Sequence, residues 1–291
     1  NVSKEVLDSF FEVNKGVVRT THNFSDKNNE TYADFTAAAE LNPVKAGPFR
    51  DQALEVKKAA NELNMYLQEM KYDLVYTVDK EVYLDQYLDA NDEEIEENKR
   101  VVPFNELSDS DKKKQIAWLY DKSNRDASGV LFVTGMSKRA RELKNKINTY
   151  KELLLVMVEG NEVLEASLKN TLATPDKPGK RGVGSQDWEN YNFVDMPAVG
   201  ALTLLSKMQS DIRNTEADVI KLLKENIDAG ALKFTSAEAI QIPEKSFVLR
   251  GDSFRAEVFI SAKDTTQDPI IYVGDYDSLG LGKYEMKGEY E

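Results

Sequence analysis

Apolar residues recur at steps of three and four through a long stretch that contains neither glycine nor proline, residues 49–102. Such a stretch is easier to build from helix than from turns. Its apolar positions fall on one helical face at close to heptad spacing: Phe49, Ala53, Val56, Ala60, Leu63, Leu67, Met70, Leu74 and Val78. The pattern predicts a helix from about Pro48 to about Leu88, roughly 60 Å long at ~1.5 Å per residue.

The N-terminal segment repeats this spacing. The apolar residues on one face are Val6, Phe10, Val13, Val17 and Phe24. We expect this helix to end at Asn42-Pro43, because the residue before a proline avoids the helical conformation. With residues 46–48 as a short linker, the two long helices should form an antiparallel hairpin.

Helical periodicity returns twice in the middle of the chain. It covers residues 137–172, with a kink expected at Gly160, and then a last helix from about Pro197 to residues 228–230. Between the helices, residues 89–135 suggest an extended excursion with a short helix at 109–120 and a short strand at 131–133. The proline- and glycine-rich segment 174–185 predicts a mobile loop.

After residue 231 the hydrophobic period changes from helical to two. Phe254, Ala256, Val258 and Ile260 alternate with their neighbours, as in a half-buried strand. Further strands are expected at 240–242, 247–249 and 270–273, separated by turn residues. The fold class predicted is therefore mainly α with a C-terminal β domain, namely a long-helix bundle (1–231) followed by a small immunoglobulin-like β-sandwich (232–291).

Charge and composition exclude several kinds of partner and site. The 291 residues include 38 basic and 51 acidic side chains, for a net charge of −13. This balance argues against nucleic acid or an anionic membrane surface as a partner. No cysteine is present, which removes disulfides and cysteine-based metal or catalytic sites.

Motifs that resemble functional loops fail at a required position. Gly179 and Gly184 have the spacing of a phosphate-binding loop, but Ser185 stands where lysine is needed. The segment that starts at Asp89 resembles a calcium-binding EF-hand loop, but Glu94 stands at the position where that loop requires glycine. We interpret the lone histidine, His22, and the 93–97 carboxylates as surface groups. The sequence therefore predicts no catalytic site, cofactor or metal, and a protein that is not an enzyme.

The feature that remains is the length of the helices, which is typical of stalks, coiled dimers and force-carrying spacers. The residues expected in the bundle core or along a twofold dimer contact are Val6, Phe10, Val13, Val17, Phe24, Leu63, Leu67, Met70 and Leu74. Two alternatives stay open: a ligand-binding helical bundle of a transmembrane sensor, and an enzyme. The strands after residue 231 favour a spacer over a sensor.

Several segments resemble the GldM/PorM family of the Bacteroidetes type IX secretion and gliding machinery. The opening NVSKEVLDSFFEVNKG is similar to the stretch that follows the family's single transmembrane helix. The segments KINTYKELLL at 146–155 and WENYNFVDMPAVGALTLLSKMQSDIRNTEADVIKLL at 188–223 also fit. The segment FVLRGDSFRAEVFISA at 247–262 resembles the first sandwich domain after the helices. Their order matters more than any one of them.

The resemblance implies a location, partners and a role. Proteins of this family are anchored in the inner membrane by one helix, expected here just before Asn1, and project into the periplasm as homodimers. Their membrane helices join a GldL-like partner in a proton-driven motor, and their distal domains contact an outer-membrane ring of GldK and GldN. By resemblance, this chain is a periplasmic shaft that transmits mechanical energy to the secretion and gliding machinery, and no residue here belongs to the proton path.

Overall fold

The computed structural model describes residues 3–79, 103–116, 119–136, 138–178, 184–231, 236–243, 247, 253–263, 275–280 and 283–287. The chain divides into two compact units, Asn1–Ile227 and Asp228–Glu291. The helices are α1 Lys4–Leu41, α2 Pro43–Val78, α3 Ala127–Gly129, α4 Arg139–Met157, α5 Glu162–Thr171, α6 Trp188–Phe193 and α7 Ala198–Ala231. The described helices include none with the length and apolar character that a bilayer span requires.

A single residue, Asn42, separates the two long N-terminal helices. Its backbone N–H donates to the carbonyl of Ala38, and its side chain accepts from the Lys45 N–H at 3.1 Å, which caps α2. The predicted end of α1 is confirmed. The expected linker at 46–48 is wrong, because this cap starts α2 at Pro43 and puts Pro48 inside the helix. The predicted end of α2 near Leu88 lies outside the described residues.

The segment after α2 contains no long helix where it is described. Where residues 109–120 are described, the 3₁₀ turn Asp111–Lys113 replaces the helix expected there, and another 3₁₀ turn, Phe104–Glu106, precedes it. The strand expected at 131–133 is also wrong, because Val130–Thr134 form a π-helical turn that continues α3. There Phe132 packs edge-on against Phe193 with ring centroids 5.3 Å apart. A short apolar run does not by itself distinguish a strand from a buried helical turn.

Where a kink was expected at Gly160, the chain breaks into two helices, α4 and α5. Gly160 has a φ of +88°, a conformation that glycine adopts without a Cβ clash. The next residue, Asn161, caps α5 by accepting from the Leu164 N–H at 3.1 Å. The last helix, α7, runs close to its predicted bounds.

The core of the helical unit lies where α2 meets α4 and α7. The seam predicted on α2 is buried from Ala53 to Leu74 and partly buried at its ends, Phe49 and Val78, and it packs with apolar residues from the other helices into one cluster. The members exposed by 1% or less include Ala53, Val56, Ala60, Leu67, Met70, Leu74, Leu143, Leu154, Leu202, Leu205, Ile212 and Val219.

Short antiparallel strands complete the fold. The ends of the loop expected at 174–185 pair as β1 (Lys177–Pro178) and β2 (Ser185–Gln186). In the C-terminal unit, β3 (Ser236–Pro243) pairs with β4 (Ala256–Lys263), and β5 (Tyr276–Gly280) pairs with β6 (Lys283–Met286).

The C-terminal strands confirm the predicted class, a mainly α fold with a C-terminal β domain. Two of the four expected strands, 240–242 and 254–261, correspond to parts of β3 and β4. The strand expected at 270–273 and residues 248–249 lie outside the described residues. The immunoglobulin-like stacking of the two hairpins stays a prediction.

Candidate functional site: inter-helix braces and an exposed strip

The structure divides the predicted core and interface residues into two groups. On α2, Leu63, Leu67, Met70 and Leu74 are buried, with 3% exposure or less. On α1, Val6, Phe10 and Val13 are 45%, 47% and 56% exposed, while Val17 and Phe24 are partly exposed.

The buried face of α1 lies one residue along from the predicted one. Leu7, Phe11 and Asn14 begin this face, which continues with Asn28, Tyr32, Phe35 and Ala39. Val6, Phe10 and Val13 therefore form a separate surface on α1, called here the exposed strip. A role for the exposed strip in a dimer contact stays a prediction.

Three groups of polar contacts join the helices to one another and are called here the braces. In the first brace, a buried carboxylate joins α1 to α7. Glu216, which has no exposed surface, accepts from the Tyr32 hydroxyl at 2.7 Å, from the Asn28 amide at 3.0 Å and from the Arg213 guanidinium at 2.8 Å. A buried charge is tolerated when it is both paired and hydrogen-bonded in this way. Burial, with the nearby Glu216 carboxylate, raises the pKa of Tyr32 and keeps its hydroxyl protonated as a donor.

A buried ammonium ties α2 to α7. Lys71 is fully buried, and its Nζ donates to the Gln209 side-chain oxygen at 2.9 Å and to the Gln115 side-chain oxygen at 3.4 Å. The Gln209 amide in turn donates to the backbone carbonyl of Asn64 at 3.1 Å. Burial lowers the pKa of Lys71 to about 7, because the charged form loses its hydration.

A third brace joins α2 to α4. The Arg139 guanidinium pairs with the Asp73 carboxylate and lies 3.4 Å from the Glu69 carboxylate. It also lies over the Tyr66 ring, 5.3 Å from the ring centroid. The Tyr66 hydroxyl donates to the Glu142 carboxylate at 3.0 Å, and its oxygen lies 3.2 Å from the Arg139 carbonyl. Each long helix of the bundle is thus held by polar contacts in addition to apolar packing.

Two further contacts show that α1 and α7 run parallel. The Thr203 hydroxyl of α7, which donates to the Val199 carbonyl of its own helix, lies 3.4 Å from the Phe10 carbonyl, and further along both helices Lys224 pairs with Asp34. The stretch of α1 between Phe10 and Asp34 is about 36 Å long at ~1.5 Å per residue. The chain therefore begins α1 and completes α7 at opposite ends of the helical unit.

The structure offers little that is typical of a catalytic or metal site. The described residues hold no cluster of three or more histidine, aspartate or glutamate side chains suited to a metal ion. His22 is exposed on α1. The 93–97 carboxylates, Asp89 and Gly179 lie outside the described residues, while Gly184 precedes β2.

The brace residues are the ones that sequence reasoning missed, although a signal for them exists. Glu216 lies four residues after Ile212 and four before Ile220, so it continues the apolar stripe of α7. Lys71 lies four residues after Leu67 and three before Leu74, so it falls on the apolar stripe of α2. A charged residue on an apolar stripe is typical of a buried, partnered group.

Comparison with protein families gives two matches. The family model of the GldM N-terminal domain matches residues 5–114 and 99–226, and that of the GldM second domain matches residues 228–288. No curated protein matches the chain. The two family models together cover nearly all of the 291 residues. The chain therefore belongs to the GldM family, whose members are components of the gliding-motility and type IX secretion motor.

Proposed function

We propose that this chain is the periplasmic shaft of a proton-driven inner-membrane motor, and that it transmits mechanical energy across the periplasm to the outer-membrane type IX secretion and gliding machinery. One observation carries the proposal. The helical unit is a braced bundle in which the start of α1 and the end of α7 lie at opposite ends, with parallel contacts from Phe10–Thr203 to Asp34–Lys224.

The physical argument concerns stiffness. A displacement applied at one end of a flexible linker is lost in the linker's own conformational freedom. A close-packed bundle of long helices deforms little, because its interior has the density of an organic crystal. The braces at Glu216, Lys71 and Arg139 oppose sliding between neighbouring helices, since each shift would separate a buried or half-buried charged group from a hydrogen-bonding or ionic partner on another helix.

The proposed assembly follows the family. The chain forms a homodimer in the periplasm, with the exposed strip of α1 at the twofold contact. It is anchored by a membrane helix N-terminal to the sequence given, where it meets a GldL-like partner, and it reaches a GldK/GldN-like ring through more distal domains. Residues 1–231 act as the helical domain and 232–291 as the β domain. The chain performs no catalysis.

A decisive experiment changes the stiffness of the chain at the end of α7 and leaves the rest of the sequence unchanged. A seven-residue Gly/Ser segment inserted after Ala231 in the full-length protein should abolish gliding and type IX secretion, because the segment is flexible. The matched control is a seven-residue Ala/Glu/Lys helical insertion of about two turns at the same place. It should retain at least part of the activity. Equal activity of the two insertions, at equal protein abundance, would contradict the shaft proposal.

The second candidate function is a ligand-binding bundle of a transmembrane sensor. The observation that favours it is a polar cleft between the helices, described below. In a sensor, ligand binding to the helical bundle should be unchanged by the flexible insertion after Ala231. The insertion experiment therefore separates the two functions.

A further inference from the structure

A cleft of about 450 Å³ opens on the helical unit between α1, α2, the segment 103–116 and α7. Its volume lies in the range of small-molecule sites. Side-chain amides and hydroxyls of all four parts line it, with Met65 as the one apolar side chain among the lining residues. The lining includes no aromatic residue other than His22, so a flat ring would find little to stack on.

The charges at the cleft are all of one sign. Lys112, Lys113 and Arg213 belong to the lining, and no lining residue is a carboxylate. This is unusual on a chain with a net charge of −13. A positive concave surface on an acidic protein concentrates anions locally.

Two of these cations are already paired. Glu216 neutralises Arg213 at 2.8 Å, and Asp109 lies 3.6 Å from Lys112. Lys113, in contrast, is exposed and has no ion pair within the part of the chain that the structure describes.

A buried lysine lies behind the cleft wall, and because its pKa is lowered to about 7 it is only partly charged at neutral pH. Lys71 donates to the side-chain oxygens of Gln115 and Gln209, and both of these glutamines line the cleft. Among the described residues Lys71 makes no ion pair. An anion in the cleft would be separated from the Lys71 amine by one layer of amide side chains, and it would be attracted to this group when the amine is protonated.

We propose that this cleft binds a small organic anion, one that carries a carboxylate or phosphate group together with several hydroxyl or amide groups. The anionic group faces Lys113 and the neighbouring Lys112, and the polar remainder is held by the amides of Asn29 on α1 and of Asn61 and Asn64 on α2. Because the ligand would touch four separate parts of the chain, its binding would also brace them against one another. The proposal does not depend on the shaft function.

The test is calorimetric titration of the chain, at fixed ionic strength, with four probes. Glucuronate and glucose 6-phosphate carry both features, citrate carries charge without sugar hydroxyls, and glucose carries hydroxyls without charge. We expect glucuronate or glucose 6-phosphate to bind at least tenfold more tightly than glucose. Citrate tests whether charge alone explains the binding. If citrate binds more weakly than glucuronate and glucose 6-phosphate, the amides of the cleft contribute to affinity.

The variant arm uses a matched pair of single charge removals. Lys113→Gln should weaken binding about tenfold, as expected for loss of one charge-assisted contact. Lys58→Gln removes the same charge from an exposed position on α2 outside the cleft, and should leave affinity unchanged. Both lysines are exposed, so neither change should prevent folding. Absence of binding by all three anions, equal binding of glucose, or equal loss in both variants would overturn the proposal.

Discussion

The two long N-terminal helices have nearly the same length and the same apolar spacing, yet only one buries the face that this spacing marks. On α2 the predicted seam is the core of the helical unit. On α1 the predicted face begins with the exposed strip, and the buried face includes Asn14, Asn28 and Tyr32. The difference shows that the spacing of apolar residues predicts that a helix forms more reliably than it predicts which face of that helix is buried.

The physical reason lies in the surroundings of each helix. The α2 helix is enclosed by α1, α4, α7 and the segment 103–116, so most of its faces meet protein. The α1 helix packs mainly on α2 and α7 and keeps a broad face in water. Polar residues with partners, such as Asn28, can then take buried positions, and apolar residues can remain exposed.

The largest expected effect is a charge placed in the α2 seam. Leu67→Glu puts an unpaired carboxylate at a fully buried position, so we expect the helical unit to lose its cooperative unfolding transition. Circular dichroism during heating measures this. Leu54→Glu, at a 46% exposed position of α2, is the control and should melt like the parent protein. Normal melting of Leu67→Glu would mean that α2 does not form the core.

The next effect concerns the brace between α1 and α7. Glu216→Ala leaves Arg213, Tyr32 and Asn28 without their shared acceptor, so we expect unfolding free energy to fall by about 3 kcal/mol. Chemical denaturation gives the value. Glu225→Ala, at an exposed position of the same helix, should change stability by less than about 0.5 kcal/mol. Equal effects of the two substitutions would show that the brace contributes nothing.

The third effect is a pH dependence from the buried lysine of α2. Because burial lowers the pKa of Lys71 to about 7, the folded chain releases this proton at lower pH than the unfolded chain does. Stability should therefore rise by about 2 kcal/mol between pH 7 and pH 9, where the unfolded state binds the additional proton. Below pH 7 Lys71 is protonated in both the folded and the unfolded chain, so the folded chain bears the full free-energy cost of burying the charge.

Denaturation midpoints of the parent protein and Lys71→Met, compared at pH 7 and pH 9, measure this rise. The substitution removes the titrating group and keeps a similar volume, so the variant should lack the increase. An equal increase in both proteins would assign it to another group.

The smallest expected effect on folding is at the exposed strip of α1. Phe10→Glu should change unfolding free energy by less than about 0.5 kcal/mol at low protein concentration, because the side chain is 47% exposed. It should weaken the proposed dimer, which sedimentation velocity over a concentration series measures. Dimerisation equal to that of the parent protein would move the twofold contact away from this strip.

Much of the fold could be predicted from the sequence because its signals are local. The Asn42-Pro43 boundary, the break at Gly160 and the start of α7 after Pro197 each depend on backbone preferences of one or two residues. The strand expected at 131–133 failed because three apolar residues carry no period. The candidate site was harder to predict from the sequence, because a brace such as Asn28–Glu216 joins residues that are 188 positions apart in the chain.

By itself the sequence determined the long helices, the change to strands after residue 231, the absence of cysteine chemistry and the resemblance to GldM. Only the tertiary structure decided which stripe of α1 is buried and that Lys71 and Glu216 lie inside the bundle. Periodicity is a property of one helix, whereas the burial of a charge depends on donors and acceptors that other helices bring to it.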